Sequence, residues 1–234
     1  MKMKNKKAEQ TAARQRHKDK LRAQRRKEPS LTRPEPSIEE RPTILIVCEG
    51  ENTEPSYFKQ FRLSTATIKA IGEGYNTVSL VNRASQLAQQ KKYDQVWCVF
   101  DKDDFSDNEF NNAILIAETS KFGVAYSNQA FEYWIILHFE DHQGGGLHRR
   151  YYEKKINKLL KPWGIRYDGK GSKIITEEIF NLMEQVDKDS GKERISLAIE
   201  RAKRNYNNYD HSSPAKEESS TTMFRLVEEL LKYV

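Results

Sequence analysis

The sequence predicts an α/β fold: a parallel sheet flanked by helices, with a helical extension at its C-terminal end. Three observations predict it. Two runs, Thr43-Ile-Leu-Ile-Val-Cys48 and Gln95-Val-Trp-Cys-Val-Phe100, are apolar almost throughout, the pattern of strands covered on both faces. Segments with helical periodicity alternate with them. From Gln143 onward the strand pattern gives way to helices separated by Gly and Pro.

Ahead of the core, residues 1–40 read as a basic tail, rich in Lys, Arg and Gln, with prolines at 29, 34 and 36. From Ala8 to Lys27 the composition favours helix but holds almost no apolar residue. Such a segment is disordered, or is a solvated helix that forms on a partner. The net charge of +6 is unevenly placed. Residues 1–34 carry thirteen Lys/Arg against three Asp/Glu, a net of +10, which leaves −4 for the other 200 residues. Through residues such as Arg22, Arg25, Arg26 and Lys27 this tail would attract a polyanion by counterion release, without reading its sequence. A solubilising tail with no specific partner is the alternative.

The core is expected over 41–142. Its first strand, 43–48, runs into the polar loop Glu49-Gly50-Glu51-Asn52-Thr53-Glu54-Pro55. Thr53 suits an N-cap and Pro55 the first turn of a helix, whose buried face carries Tyr57, Phe58 and Phe61. A second strand falls within 66–72 or 77–81, and Ala84–Lys92 reads as a helix. The strand at 95–100 stops abruptly at Asp101-Lys102-Asp103-Asp104. A helix over 108–121 places Phe110, Ala113, Ile114 and Ala117 on one face, and Gly123 ends it. Val124–Tyr126 begins a short strand, and Ser127-Asn128 lead into the apolar helix Phe131–Phe139. In the extension, 143–234, helices are expected at 150–161, 174–187, 193–206 and 222–232. The last would bury Phe224, Val227, Leu230 and Leu231, and 207–220 reads as a polar loop. The extension is expected to pack on the core.

Several classes are excluded. No apolar stretch reaches the ~18 residues of a membrane span. The basic N-terminus lacks the apolar segment of a secretory signal. Cys48 and Cys98 each lie in an apolar run and read as buried, reduced thiols. A cytoplasmic protein is therefore expected.

In open parallel sheets, ligands bind beyond the carboxyl ends of the strands. Two strands here end in acids, Glu49 and Asp101. If those strands are neighbours the two carboxylates converge, with Asp103 and Asp104 close by. Clustered carboxylates repel one another and call for a compensating cation. Hard oxygen ligands suit Mg²⁺ or Mn²⁺, which could neutralise a scissile phosphate and help generate a nucleophilic hydroxide. Polar loops alone could also account for the acids. Glu54, in the first helical turn, either joins this site or simply complements the helix dipole. Glu132 enters an apolar helix, where a carboxylate needs a partner or a metal. Asn128 either joins the site or caps that helix, His138 is a core histidine or a base, and Lys102 pairs with phosphate or faces solvent.

Weaker patterns are also present. His138 and His142 stand at a zinc-compatible spacing without a third ligand. Asp168-Gly-Lys-Gly-Ser-Lys173 lacks phosphate-loop spacing and reads as a turn. Arg204 and His211 match the loose spacing of some RNases. Arg149 and Arg150, interleaved with Tyr151, Tyr152 and Lys154, would bind nucleic acid by charge and stacking, or form a solvated helix face.

A strand ending in Glu49-Gly50 and a later one ending in Asp101-Lys102-Asp103 resemble the Toprim domain of topoisomerases, primases and OLD-type nucleases. Three motifs, Val47-Cys-Glu-Gly-Glu-Asn-Thr-Glu54-Pro-Ser-Tyr-Phe58, Ser127-Asn128-Gln-Ala-Phe131-Glu132-Tyr-Trp134-Ile-Ile-Leu-His138-Phe139 and Ser220-Thr-Thr222-Met-Phe-Arg-Leu-Val-Glu-Glu-Leu230, resemble the RloB family of bacterial defence-associated proteins. They occur in the family's order, over about residues 42–232. Gln129 stands where that family tends to have proline. The resemblance implies a Toprim-like fold, a part in restricting phage, and neighbours such as restriction enzymes or an ATPase. It implies that Glu49 is the catalytic glutamate and that Asp101 and Asp103 are the metal-binding pair. Two functions follow. One is a Mg²⁺-dependent nuclease cutting DNA, tRNA or another RNA, activated by an ATPase partner or an infection signal. The other is a non-catalytic subunit that binds nucleic acid or a partner. A homo-oligomer is compatible with either.

Overall fold

Strand β1 (Ile44–Cys48) is buried at all five positions because both faces of the sheet are covered. Ile44, Ile46 and Cys48 point into one apolar layer, and Leu45 and Val47 into the other. This is the period-two alternation of a strand expressed on two buried surfaces. The computed structural model describes residues 41–70, 77–103 and 106–234, together with Ala12, Gln15, Arg16, Lys18 and Asp19. The chain divides into two compact units, Met1–Glu40 and Arg41–Val234. The described positions of the first unit are helical and exposed. Arg22, Arg25, Arg26 and Lys27 lie outside the described residues, as does Asp104.

In the second unit, β1 is followed by α1 (Thr53–Lys59), β2 (Ala66–Ala70), α2 (Thr77–Gln90), β3 (Gln95–Asp101), α3 (Asp107–Thr119), β4 (Gly123–Asn128) and α4 (Glu132–Phe139). The extension supplies α5 (Tyr152–Leu160), α6 (Glu177–Glu184), α7 (Arg194–Tyr206), β5 (Ser220–Thr221) and α8 (Met223–Leu231). The sheet order is β2-β1-β3-β4-β5. The first four strands are parallel, and β5 is antiparallel to β4. This is an α/β architecture with helices on both faces. Helices α2 and α3 cover one face. Helices α1, α4, α5, α6, α7 and α8 build the larger core on the other. The C-terminal helices are thus part of the main hydrophobic layer. Cys48 and Cys98 are buried free thiols in opposite layers.

The ambiguity over the second strand resolves at Ala66–Ala70, and 77–81 opens α2 instead. Asn52, not Thr53, occupies the N-cap of α1; Thr53 is its first helical residue. Leu231, expected to be buried, is 37% exposed, and Met223 and Leu226 complete the buried face of α8.

The stretch read as a polar loop ends in a strand. β5 is Ser-Thr, paired with Asn128 and Ser127, and the neighbouring Ser219 and Thr222 are also buried. The hydroxyls of Ser219, Thr221 and Thr222 are hydrogen-bonded, whereas that of Ser220 is buried without a partner among the described residues. Ser127 Oγ and Thr221 Oγ1 share a hydrogen bond of 3.0 Å. Thr221 Oγ1 donates to the Tyr126 carbonyl at 2.9 Å, and Tyr126 N donates to Thr222 Oγ1 at 2.9 Å. A polar segment can be buried where most of its polar atoms have partners. Hydropathy does not register it.

Gly123 starts β4 where the Trp97 indole of β3 lies flat against the backbone, and a Cβ there would collide with the ring. Gly123→Ala is expected to destabilise the protein by about 1–3 kcal/mol through overpacking. Urea unfolding of the variant measures this, and an unchanged midpoint would contradict the packing.

Candidate metal and phosphate site

Strands β1 and β3 are hydrogen-bonded neighbours, with Cys48 beside Val99. Glu49 and Asp101 therefore leave the sheet side by side at its carboxyl edge. Glu49 N donates to the Val99 carbonyl at 2.9 Å. Asp101 N donates to Glu49 Oε2 at 3.2 Å, so the backbone of one strand end fixes the side chain of the other. Phe131 N, just ahead of α4, donates to Asp101 Oδ2 at 3.0 Å. Asp101 Oδ1 is buried with no hydrogen-bond partner among the described residues. An orphaned carboxylate oxygen is costly in a dry site, and a bound cation would satisfy it.

Glu54 is buried in the first turn of α1. Its carboxylate folds back over Gly50, where a side-chain Cβ would strike it, and the backbone N–H groups of Glu54 and Gly50 favour its charged form. Gly50 is required here by this close approach. Glu132 opens α4 and accepts a hydrogen bond from the Tyr167 hydroxyl at 2.8 Å. That hydroxyl also lies 3.4 Å from Thr53 Oγ1.

The four carboxyl groups of Glu49, Glu54, Asp101 and Glu132 share one electrostatic environment. Burial, then the charge of Glu54, pushes Glu49 up to about 7, against the pull of the Asp101 N–H and of Arg149. Burial and the charge of Glu132 likewise push Glu54 up to about 7, with Lys173 opposing. Asp101 is held well above the usual carboxylate range by burial, then by Glu54, Glu132 and Glu49. Nevertheless, among the described residues no three His, Cys, Asp or Glu side chains gather into a finished metal cage. Mg²⁺ does not demand one: it is commonly held by one or two carboxylates, with water and substrate phosphate completing the shell. Glu49 and the free oxygen of Asp101 fit that requirement.

The raised pKa values set a pH dependence. A carboxyl whose pKa is about 7 in the folded chain and 4.5 otherwise favours folding only in its protonated form. The benefit is intact below about 4.5 and is lost as pH rises through 7. Metal-free protein is expected to melt at a lower temperature at pH 8 than at pH 5.5. Glu49→Gln is expected to remove about 1–3 kcal/mol of that difference. Calorimetry with chelator at both pH values tests it, and equal slopes for wild type and variant would contradict it.

The other expected site residues are placed as follows. Asp103 turns away from Asp101 at φ +41° and its carboxylate pairs with Arg149. Lys102 Nζ lies 3.3 Å from the Asp107 carboxylate. Asn128 does not cap α4; Phe131 holds that position, and Asn128 Nδ2 donates to the carbonyls of Pro214 and Ala215 at 3.0 and 2.9 Å. His138 lies in the core, its Nδ1 donating to the Trp134 carbonyl at 2.9 Å and its ring set edge-on to Trp134. Burial pushes it down to about 3, so it is neutral at physiological pH. His142 lies beyond the end of α4 and bonds the Tyr133 hydroxyl at 3.0 Å. Asp168 closes a turn by accepting from Gly171 N and Ser172 N at 2.9 Å. Arg204 pairs with Asp141, while His211 stacks on Tyr206 and meets Glu217, so the two do not form one site. Arg150 lies over the exposed Tyr151 ring at 4.7 Å, whereas Tyr152 is buried.

These contacts sit inside a recognisable whole. The chain matches the family model for RloB-like proteins over residues 44–230. It belongs to the RloB-like family. No curated protein and no solved structure matched it. In this RloB-like chain the match runs from β1 into α8, so the carboxylates and the late β5–α8 segment belong to one family unit. Among the described residues no helix is long and apolar enough to cross a membrane. Tyr167 carried no sequence signal, and Lys173 was read only as the end of a turn. Tyr167 and Lys173 flank the Asp168 turn, some 35 residues beyond Glu132, and only folding brings them to Glu132 and Glu54.

Proposed function

We propose that this protein is a Mg²⁺- or Mn²⁺-dependent nuclease of Toprim type that hydrolyses phosphodiester bonds in DNA, tRNA or another RNA. The observation that carries this reading is the convergence of Glu49 and Asp101 at adjacent strand ends, with Asp101 Oδ1 buried and unpaired. Glu49 and Asp101 would hold the cation. When bound, it supplies charge neutralisation of the phosphate and a more acidic water. The Phe131 N–H orients Asp101, and the Asp101 N–H orients Glu49. Without a cation, burial holds Glu49 up to about 7; a bound cation would favour its ionised, ligating form. Glu54 and Glu132 add carboxylates around Glu49 and Asp101, which favours a cation at their end of the site.

The family relation and the motifs similar to those of defence-associated proteins support a role in restricting phage in the cytoplasm. An ATPase partner or an infection signal would release the activity. A non-catalytic nucleic-acid-binding subunit is the second reading. It is favoured by one observation: Asp103 engages Arg149 instead of joining the carboxylates.

Nuclease assays with Mg²⁺ or Mn²⁺ on DNA and tRNA, with wild type, Glu49→Ala and Asp101→Ala, separate the two. Cleavage lost in both variants is the expected result. Cleavage unchanged in both would refute the metal site. No cleavage by wild type, even with a co-purified partner, would favour the binding subunit.

A further inference from the structure

Arg149 reaches the acidic edge from the extension. It is carried on a short turn, Arg149–Tyr151, ahead of α5. Its guanidinium is close enough to Glu49 to oppose the rise in that carboxyl's pKa. Two hydrogen bonds from one residue fix its position. Gln129, between β4 and α4, accepts from Arg149 N through its side-chain Oε1 at 2.8 Å. The Gln129 carbonyl accepts from Asp103 N at 3.0 Å. Both halves of the Asp103–Arg149 ion pair are thereby fastened to the same loop.

The pair is suited to exchange. Its side chains are 33% and 37% exposed, so a ligand can reach them. The hydrogen bond to Asp103 runs through Nη1, whereas guanidinium presents a planar fork that binds phosphate oxygens in pairs. Asp103 itself sits in the left-handed region, which Asp tolerates better than most residues. That conformation directs its carboxylate to Arg149 and away from the metal-binding edge.

We infer that Arg149 is the phosphate clamp of this site and that Asp103 is its positioning residue, not a metal ligand. This rests on the nuclease reading. Asp103 holds the guanidinium near Glu49 while the site is empty of substrate. A phosphodiester then replaces the Asp103 carboxylate as the partner of the fork. Glu49 and Asp101 would hold a cation on the neighbouring side of the site.

The test is calorimetric titration of the full chain with two probes. One is a nucleoside 3′,5′-bisphosphate, in chelator and at salt high enough to suppress binding by the basic tail. The other is Mn²⁺ alone. Arg149→Ala is expected to weaken the bisphosphate about tenfold or more, Arg149→Lys to recover only part, and both to keep the melting temperature. Asp103→Asn is expected to leave Mn²⁺ affinity unchanged, while Asp101→Asn loses Mn²⁺. Bisphosphate affinity unchanged in Arg149→Ala, or absent in wild type, would overturn the clamp. Loss of Mn²⁺ in Asp103→Asn to the extent seen in Asp101→Asn would overturn the positioning role. If wild type binds no Mn²⁺, the metal-nuclease reading falls together with this assignment of Asp103, whereas the bisphosphate titration still decides Arg149.

Discussion

Asp101→Asn is expected to reduce cleavage by about 10³-fold while leaving the metal-free fold intact. The side chain keeps its shape, and the asparagine carbonyl can still accept the hydrogen bond from Phe131 N. What disappears is the negative charge of the carboxylate whose unpartnered oxygen would face a bound cation. Metal charge stabilisation amounts to several kcal/mol, and each 1.36 kcal/mol is tenfold in rate. Stability should move the other way. Burial and three neighbouring carboxylates already disfavour the charge of Asp101, so removing it relieves repulsion. Chelated Asp101→Asn is therefore expected to melt no lower than wild type at pH 8. Single-turnover cleavage and calorimetry on the same preparation check both halves. Wild-type cleavage would remove Asp101 from the reaction, and a large fall in melting temperature would show that its charge serves the fold.

Trp134→Ala is expected to cost about 3–5 kcal/mol of stability, the range for deleting a buried tryptophan. Trp134 is fully buried in α4, where every position from Tyr133 to His138 is buried. One helix thus faces the sheet and the extension at once, and α4 packs against β4, α5 and α7. The consequence extends to chemistry. The same helix begins at Glu132, and the amide preceding it holds Asp101. Loosening α4 should therefore lower metal affinity as well as stability. Trp134→Phe, which keeps most of the ring volume, should cost much less. Denaturant unfolding and Mn²⁺ titration of both variants test this. A loss under about 1 kcal/mol for the alanine variant would show that α4 is not the shared core element.

The core strands and their acidic ends were legible for a simple reason. A strand buried on both faces has no polar positions, so Ile44–Cys48 and Gln95–Phe100 are conspicuous, and the residue at which polarity returns marks the sheet edge. Glu49 and Asp101 follow from that edge, and Glu54 and Glu132 from their place in the first turns of the next helices. Conversely, β5 was read as loop because its burial depends on hydroxyl hydrogen bonds between Ser127, Thr221, Thr222 and Tyr126. Those form only once β4 is in place. Asn128 looked like a helix cap because its sequence position suits one. Its amide instead reaches two carbonyls some 86 residues later.

What the sequence by itself determined is the α/β class, the order of the core elements and the two carboxylates that end β1 and β3. Those properties rest on periodicity and on where charge interrupts it, both of which are local. Only the tertiary structure decided that β1 and β3 are neighbours, that Asp101 Oδ1 is left without a partner, and that Asp103 turns onto Arg149. It also decided that the Tyr167 hydroxyl bonds Glu132 and that Lys173 comes near enough to Glu54 to oppose the rise of its pKa. These depend on strand order, on a single left-handed residue and on contacts across 30 to 119 residues of chain. Side-chain direction at a strand end is set by what packs around it, and that information is spread along the whole fold.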